Sequence, residues 1–489
     1  MSPFLVILTI AAYFLVLFGI SHLASRNTDS DGFFVGNRKS PWFLVAIAMI
    51  GSSISGVTFV SVPGMVGAKG FSYMQMVLGF FVGQIIIAFV LIPLFYKMNV
   101  VSIYQYLENR FGMKSYKTGA WFFFISKMLG AAVRLFLVCI TLQLLVFDPL
   151  KLPFALNAII TVLLVWLYTY KGGVKTLIWT DAFKTFCLVI SVVLCIYYIA
   201  SDLNLSWLGM LQEIKQSNYS KTFFFDDIND KRFFFKQFLA GVFTMIATTG
   251  LDQDMMQRNL SCKNHTDSQK NIITSGLSQI VINGLFLMLG ALLFIYATKM
   301  QIDMPESSDQ LFPLIATGGY FPTLVGILFI IGLISAAYAA AGSALTALTT
   351  SFTVDILQAK DKQSEAQLTA TRKKVHIGMA ALMAVVIIVI NALNNTSVID
   401  AVYILASYTY GPILGLFAFG ILCKKQVKDK YIPYVAIIAP ILCYILQANS
   451  QAWFNGYEFS YELLIFNALF TCIGLSLLIK KNPANSLSR

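Results

Sequence analysis

Thirteen apolar runs, each long enough to cross a bilayer as a helix, divide almost the whole chain. They begin near 4, 41, 71, 119, 153, 176, 237, 271, 322, 375, 398, 431 and 461, and are numbered here as spans 0 to 12. Backbone polar groups in lipid must be satisfied within the segment, so runs of this length predict an all-α polytopic membrane protein with about 13 transmembrane helices. With 57% hydrophobic and 12% charged residues, a soluble enzyme of ordinary make-up is excluded. The net charge of +12 lies in short loops, where it reads as a topology determinant and not as a nucleic-acid surface. With the N-terminus outside, inward segments hold 24 of the 35 Lys and Arg and outward segments eight. Lys127, Arg134 and Lys184 fall within spans. The C-terminus is then cytoplasmic, in a plasma (inner) membrane. Seven cysteines without paired spacing and three scattered histidines indicate neither a disulfide framework nor a metal centre. Span 0 lacks a basic leader region and reads as retained.

Two spans are interrupted. Span 1 carries Gly51-Ser52-Ser53-Ile54-Ser55-Gly56 near its middle. Two readings stand: close helix packing through small residues, or backbone unwound around a solute site. Five spans later, Thr248-Thr249-Gly250 is followed by Asp252, Gln253 and Asp254. Breaks at corresponding places in two five-span halves point to a 5+5 inverted repeat with discontinuous helices 1 and 6 and a midplane site. The expected organisation is 1–40 as a peripheral span and entry loop, 41–201 as spans 1–5, 202–236 as an outer loop, 237–423 as spans 6–10, and 424–489 as spans 11–12 and a tail. Two phenylalanine triplets, 223–225 and 233–235, predict that the 202–236 loop packs over the outer mouth. No soluble domain is expected at either end.

Several motifs carry a resemblance. Phe33-Phe34-Val35-Gly36-Asn37-Arg38 precedes span 1, and Tyr104-Gln105-Tyr106-Leu107-Glu108-Asn109-Arg110-Phe111 follows span 2. Gly172-Gly173 with Trp179-Thr180-Asp181 opens span 5, and Asp252-Gln253-Asp254-Met255-Met256-Gln257-Arg258 closes span 6. Span 10 contains Ser407-Tyr408-Thr409-Tyr410-Gly411-Pro412. In this order the chain resembles the sodium:solute symporter family, whose members share the inverted-repeat fold of amino-acid and sugar symporters.

The resemblance implies a coupling sodium ion between span 1 carbonyls near Gly51 and Ile54 and span 8, where Ala336 matches a carbonyl ligand. The two hydroxyl positions of span 8 are Ala339 and Ala340 here, and a methyl group cannot join an oxygen shell. A second sodium position would keep only Asp181 and Ser343. Span 5 has Lys184 where the family has glutamine, one turn from Asp181. An intramembrane lysine has a partner or a task. One reading is snorkelling or a plain pair with Asp181. The other makes Lys184 a surrogate for the sodium ion, tethering span 5 to carbonyls of spans 1 and 8 and open to carrying a coupling proton. The resemblance implies coupling by Na+, the methyls of span 8 oppose it, H+ is the alternative, and no other cofactor is expected.

For the solute, the resemblance implies a site between spans 1, 2, 3, 6 and 10. Ser53, Ser55 and Thr58 fall where sialic-acid-transporting members place hydroxyls, Arg134 lies within about a residue of their carboxylate-binding arginine, and Val77 stands where they have a glutamine. Tyr73, Gln75, Asp252 and Gln253 complete the candidates. A mid-span arginine suits bidentate capture of an anion, and pairing with Asp252 or Asp254 is the competing reading. The expected function is secondary transport of a small polar, carboxylated solute. A sodium symporter with a rearranged ion site and a transporter-like sensor are the alternatives. No convergent catalytic cluster points to an enzyme. The expected partners are the solute and the bilayer, with no nucleic acid, and the protein is expected to be a monomer.

Overall fold

The computed structural model describes residues 3–24, 39–54, 56–100, 102–170, 173–305, 307–393 and 398–480. The Phe33–Arg38 motif, Ser55 and Gly172 lie outside the described residues. The apolar runs become helices α1 (Pro3–Ala24), α2 (Trp42–Ser53), α3 (Gly56–Lys69), α4 (Tyr73–Met98), α5 (Gln105–Arg110), α6 (Met113–Phe147), α7 (Phe154–Thr169) and α8 (Gly173–Asp202). After them come α9 (Trp207–Gln216), α10 (Phe234–Gly250), α11 (Gln253–Asn259), α12 (His265–Lys299) and α13 (Leu311–Thr317). The chain continues with α14 (Thr323–Ile356), α15 (Glu365–Leu393), α16 (Val398–Leu422), α17 (Ile432–Ala448) and α18 (Leu463–Leu477). Among the described residues, nine helices are long and apolar enough to cross a membrane. Two bent pairs and two shorter apolar helices, α7 and α18, fall at the other expected spans.

Both interruptions are bends. The axes of Trp42–Ser53 and Thr58–Lys69 diverge by 54°, and those of α10 and α11 by 73°. The second break has a local cause. The last turn of α10 widens, so that Leu251 N–H reaches Ile246 O at 3.0 Å. Asp252 then turns extended, with φ −97° and ψ 123°, and caps α11 by accepting from Asp254 N at 2.9 Å and Met255 N at 3.2 Å. Leu91 and Ile87 pack so closely on Gly250 that a Cβ there would stand 2.6 Å from Leu91.

The helix contacts come in pairs related by a shift of five spans. α8 packs on α14 as α16 packs on α6, which are spans 5 and 8 against 10 and 3. α4 packs on α10 as α12 packs on α2 and α3, spans 2 and 6 against 7 and 1. α1 leans on α8 and α14, and α17 and α18 lean on α16, outside this pairing. Span 8, the middle of α14, lies at the centre: every residue from Gly332 to Ser351 is buried.

Candidate functional site

The two bends meet α6, α8, α12, α14 and α16, and charged side chains converge there. Lys184 of α8 is 1% exposed, and its Nζ has three neighbours to accept its protons. Asp181 Oδ1 lies at 3.2 Å, the Tyr168 hydroxyl at 3.2 Å and the Tyr338 carbonyl at 3.3 Å. The ammonium also stands 4.3 Å from the centre of the Tyr168 ring. Tyr168 comes from α7, a helix that sequence reasoning gave no part in the site, and its hydroxyl donates to the same Tyr338 carbonyl. Room for that hydroxyl exists because residue 342 is glycine; a Cβ there would lie 1.7 Å from the Tyr168 oxygen. Ala339 and Ala340 are buried, and Ser343 Oγ turns back to Ala340 O at 3.2 Å.

The surrogate reading for Lys184 needs two corrections. The span 8 carbonyl it meets is that of Tyr338, not Ala336, because the side chain is drawn to the acceptor that Tyr168 shares. No bond from Lys184 to span 1 occurs among the described residues. Span 1 is joined to span 5 by Thr185, which donates to Ile47 O at 2.9 Å, and by Ser52, which donates to Asp181 Oδ2 at 3.4 Å. The close approach depends on Gly51, where a Cβ would sit 2.1 Å from Thr185 Oγ1. Ile54 is buried at the bend and lines the cavity described below, with its N–H on Ile50 O.

Asp181 is also the start of a longer chain of charges. Its Oδ2 is 2.8 Å from Arg258 Nη1, which further donates to Ser52 Oγ. Arg258 Nε is 3.4 Å from Asp254 Oδ1, and Asp254 Oδ2 is 3.0 Å from Lys127 Nζ. Lys127 in turn lies 3.1 Å from both oxygens of Asp252, and Tyr410 donates to Asp252 Oδ2 at 2.6 Å. Lys184, Asp181, Arg258, Asp254, Lys127 and Asp252 thus alternate in sign across α8, α11 and α6, each at most 5% exposed. An ion withdrawn from water is tolerated when its partners are this close. Arg258 ends the Asp252–Arg258 motif, and its role is not evident from the motif alone. The i,i+4 spacing from Asp254 was the available signal.

Beside the Asp252 end lies a cavity of about 100 Å³, lined by Ser52, Ser53, Ile54, Thr58, Tyr73, Phe80, Lys127, Arg134, Thr244, Met245, Thr248, Thr249, Asp252, Met255, Gln279, Asn283, Ala406 and Tyr410. Ser53 accepts from Gln279 Nε2 at 2.6 Å and donates to Ile50 O at 2.9 Å. Arg134 is half-buried on the wall and has no hydrogen bond or ion pair among the described residues. The competing reading, in which Asp252 or Asp254 pairs with it, does not describe this arrangement, because Lys127 holds both carboxylates.

Two candidates stand elsewhere. Gln75 is fully buried, yet it serves the 202–236 loop: Nε2 donates to Arg232 O at 2.8 Å and Ser72 O at 3.2 Å, and Oε1 accepts from Phe224 N at 3.1 Å. Gln253 points the other way and accepts from Ile103 N at 2.8 Å, anchoring the connector before α5. A buried amide near a backbone segment without secondary structure satisfies that backbone, and neither residue reaches the cavity.

Comparison with known proteins fits this geometry. The sequence profile of the sodium:solute symporter family matches residues 33–429. The chain belongs to that family. It is 25% identical over 464 residues to the sodium/sialic acid symporter NanT of Aliivibrio fischeri, covering 89% of this chain and 86% of the relative. It is 24% identical over 449 residues to the sodium/sialic acid symporter SiaT of Proteus mirabilis, covering 88% and 86%. Its fold matches the substrate-bound, outward-open structure of a Na+-coupled sialic acid symporter with a TM-score of 0.82 at 20% identity, over 96% of this chain and 97% of the other. As a member of a solute symporter family, the protein is a multi-span membrane transporter of a small solute, not an enzyme.

Proposed function

We propose that the chain carries a small hydroxylated monocarboxylate by alternating access, with Lys184 in place of a coupling sodium ion. The observation behind the sodium-independent part is the set of acceptors around Lys184: Asp181, Tyr168 and Tyr338 answer its three N–H bonds. The sodium site that the resemblance implies needs two span 8 hydroxyls beside its carbonyls, and those positions are methyls at Ala339 and Ala340. Support for the solute class comes from the cavity. Arg134 offers a planar pair of donors to a carboxylate, and Ser53, Thr58, Thr244, Thr248 and Thr249 offer hydroxyls to a polyol. In this reading 41–201 and 237–423 are the moving halves, with 1–40, 202–236 and 424–489 around them. The N-terminus is outside and the C-terminus cytoplasmic in the plasma membrane, as the loop charges favour, and the chain works as a monomer.

The names of the relatives favour a second reading, sodium-coupled symport through a rearranged site. Uptake into proteoliposomes separates the two. Lactate, gluconate and N-acetylneuraminate are supplied with sodium or with choline in its place. Equal uptake in both supports the first reading, and uptake that vanishes in choline supports the second. Counterflow of labelled solute distinguishes either from a sensor that binds without translocating.

A further inference from the structure

A cation that belongs to the protein differs from a cation that travels. The Lys184 ammonium is covalently held, and Asp181, its carboxylate partner, has its other oxygen on Arg258 at 2.8 Å. Fixed charges shift during a transport cycle and are back in place when it closes, so they add nothing to the charge moved per turnover. What crosses is the solute and any free ion that accompanies it.

The charges linked to Lys184 allow that sum to be made. Three cations and three anions alternate from Lys184 to Asp252 and cancel. Arg134 stands outside the chain, on the cavity wall and without an ion-pair partner among the described residues. One negative charge on the solute completes it. With the cation site filled by a side chain, no second ion is required to balance the loaded state.

We infer that this transporter is an electrogenic anion uniporter, in which each cycle moves one net negative charge along with the solute. The inference rests on the sodium-independent reading above and goes beyond it. A sodium symporter uses the membrane potential to draw its cation and solute inward. Here the same potential, negative inside, opposes entry of the anion and favours its exit. Such a chain releases its solute from a cell and does not concentrate it.

The test uses the full chain in sodium-free proteoliposomes with labelled lactate, gluconate and N-acetylneuraminate. Valinomycin and a tenfold potassium gradient set the potential. With potassium higher outside, the interior becomes positive and a transported monoanion accumulates about tenfold; with the gradient reversed, it falls about tenfold below the external level. That pair of results supports the inference. Flux that ignores the sign of the potential, or accumulation driven by an interior-negative potential, overturns it while leaving sodium independence intact. Flux seen only after sodium is added overturns the sodium-independent reading instead. No flux of any of the three anions under any condition overturns the proposed solute class.

Discussion

Lys184→Gln removes one charge and little volume, and the structure sets its cost. Lysine supplies three N–H donors to Asp181, Tyr168 and Tyr338, whereas the glutamine amide supplies two from a shorter chain. Removing one member of a buried ion pair costs about 3–5 kcal/mol. Arg258 remains 2.8 Å from Asp181, so the loss should fall near about 3 kcal/mol, the low end of that range. The vacated space is bordered by a carboxylate, a carbonyl and a hydroxyl, which are sodium ligands in kind. If the variant takes sodium with a Kd on the order of 10 mM, 150 mM NaCl restores about 1.6 kcal/mol through binding to the folded state alone. The assay is thermal unfolding of purified protein in NaCl against choline chloride at equal ionic strength. The expected outcome is a lowered midpoint for the variant, partly recovered by sodium, and no sodium effect on the unsubstituted protein. An equal sodium shift in both would place a bound ion elsewhere and refute the surrogate argument.

Other outcomes follow from single contacts. Arg134→Ala should weaken monocarboxylate binding by about 2 kcal/mol, roughly thirtyfold in Kd by titration calorimetry, with an unchanged unfolding midpoint because Arg134 has no ion-pair partner among the described residues. Gln75→Leu should leave solute affinity unaltered while loosening the 202–236 loop. With the Phe224 N–H and Arg232 carbonyl unpaired, limited proteolysis there should accelerate roughly tenfold. Gly342→Ala should destabilise the chain by about 1–3 kcal/mol, and that cost should disappear when Tyr168→Ala is already present. Additive effects of those two substitutions, measured by unfolding, would mean that Tyr168 does not occupy the space above Gly342.

The spans were legible because a membrane imposes one length and one chemistry on every crossing segment. The break in span 6 was legible from Thr249-Gly250 followed by three polar residues, since such a run cannot continue an apolar helix unaided. Asp181 and Lys184 were legible as a pair from their spacing on one helix. Arg134 stood out as a mid-span arginine, and the structure leaves it facing the cavity. Contacts between distant segments were not legible. Lys127 and Asp252 are separated by 125 positions, and nothing local to either one signals the other. Tyr168 has no local signal in its own span, and its role depends on Gly342, four spans further on. Gln75 and Gln253 illustrate a different limit. A glutamine in an apolar segment announces a hydrogen-bonding need, but not whether a solute or a neighbouring loop will meet it.

The row of ions from Lys184 to Asp252 has a consequence for how such a site can change over generations. Its inner members each lean on two neighbours, so altering one strands the next, and the defect passes along the row. Point changes at Asp181, Arg258 or Asp254 should therefore rarely survive alone. Variants built to take a mobile cation would be expected to need several members exchanged together, with the small residues at 339, 340 and 342 changing in the same step.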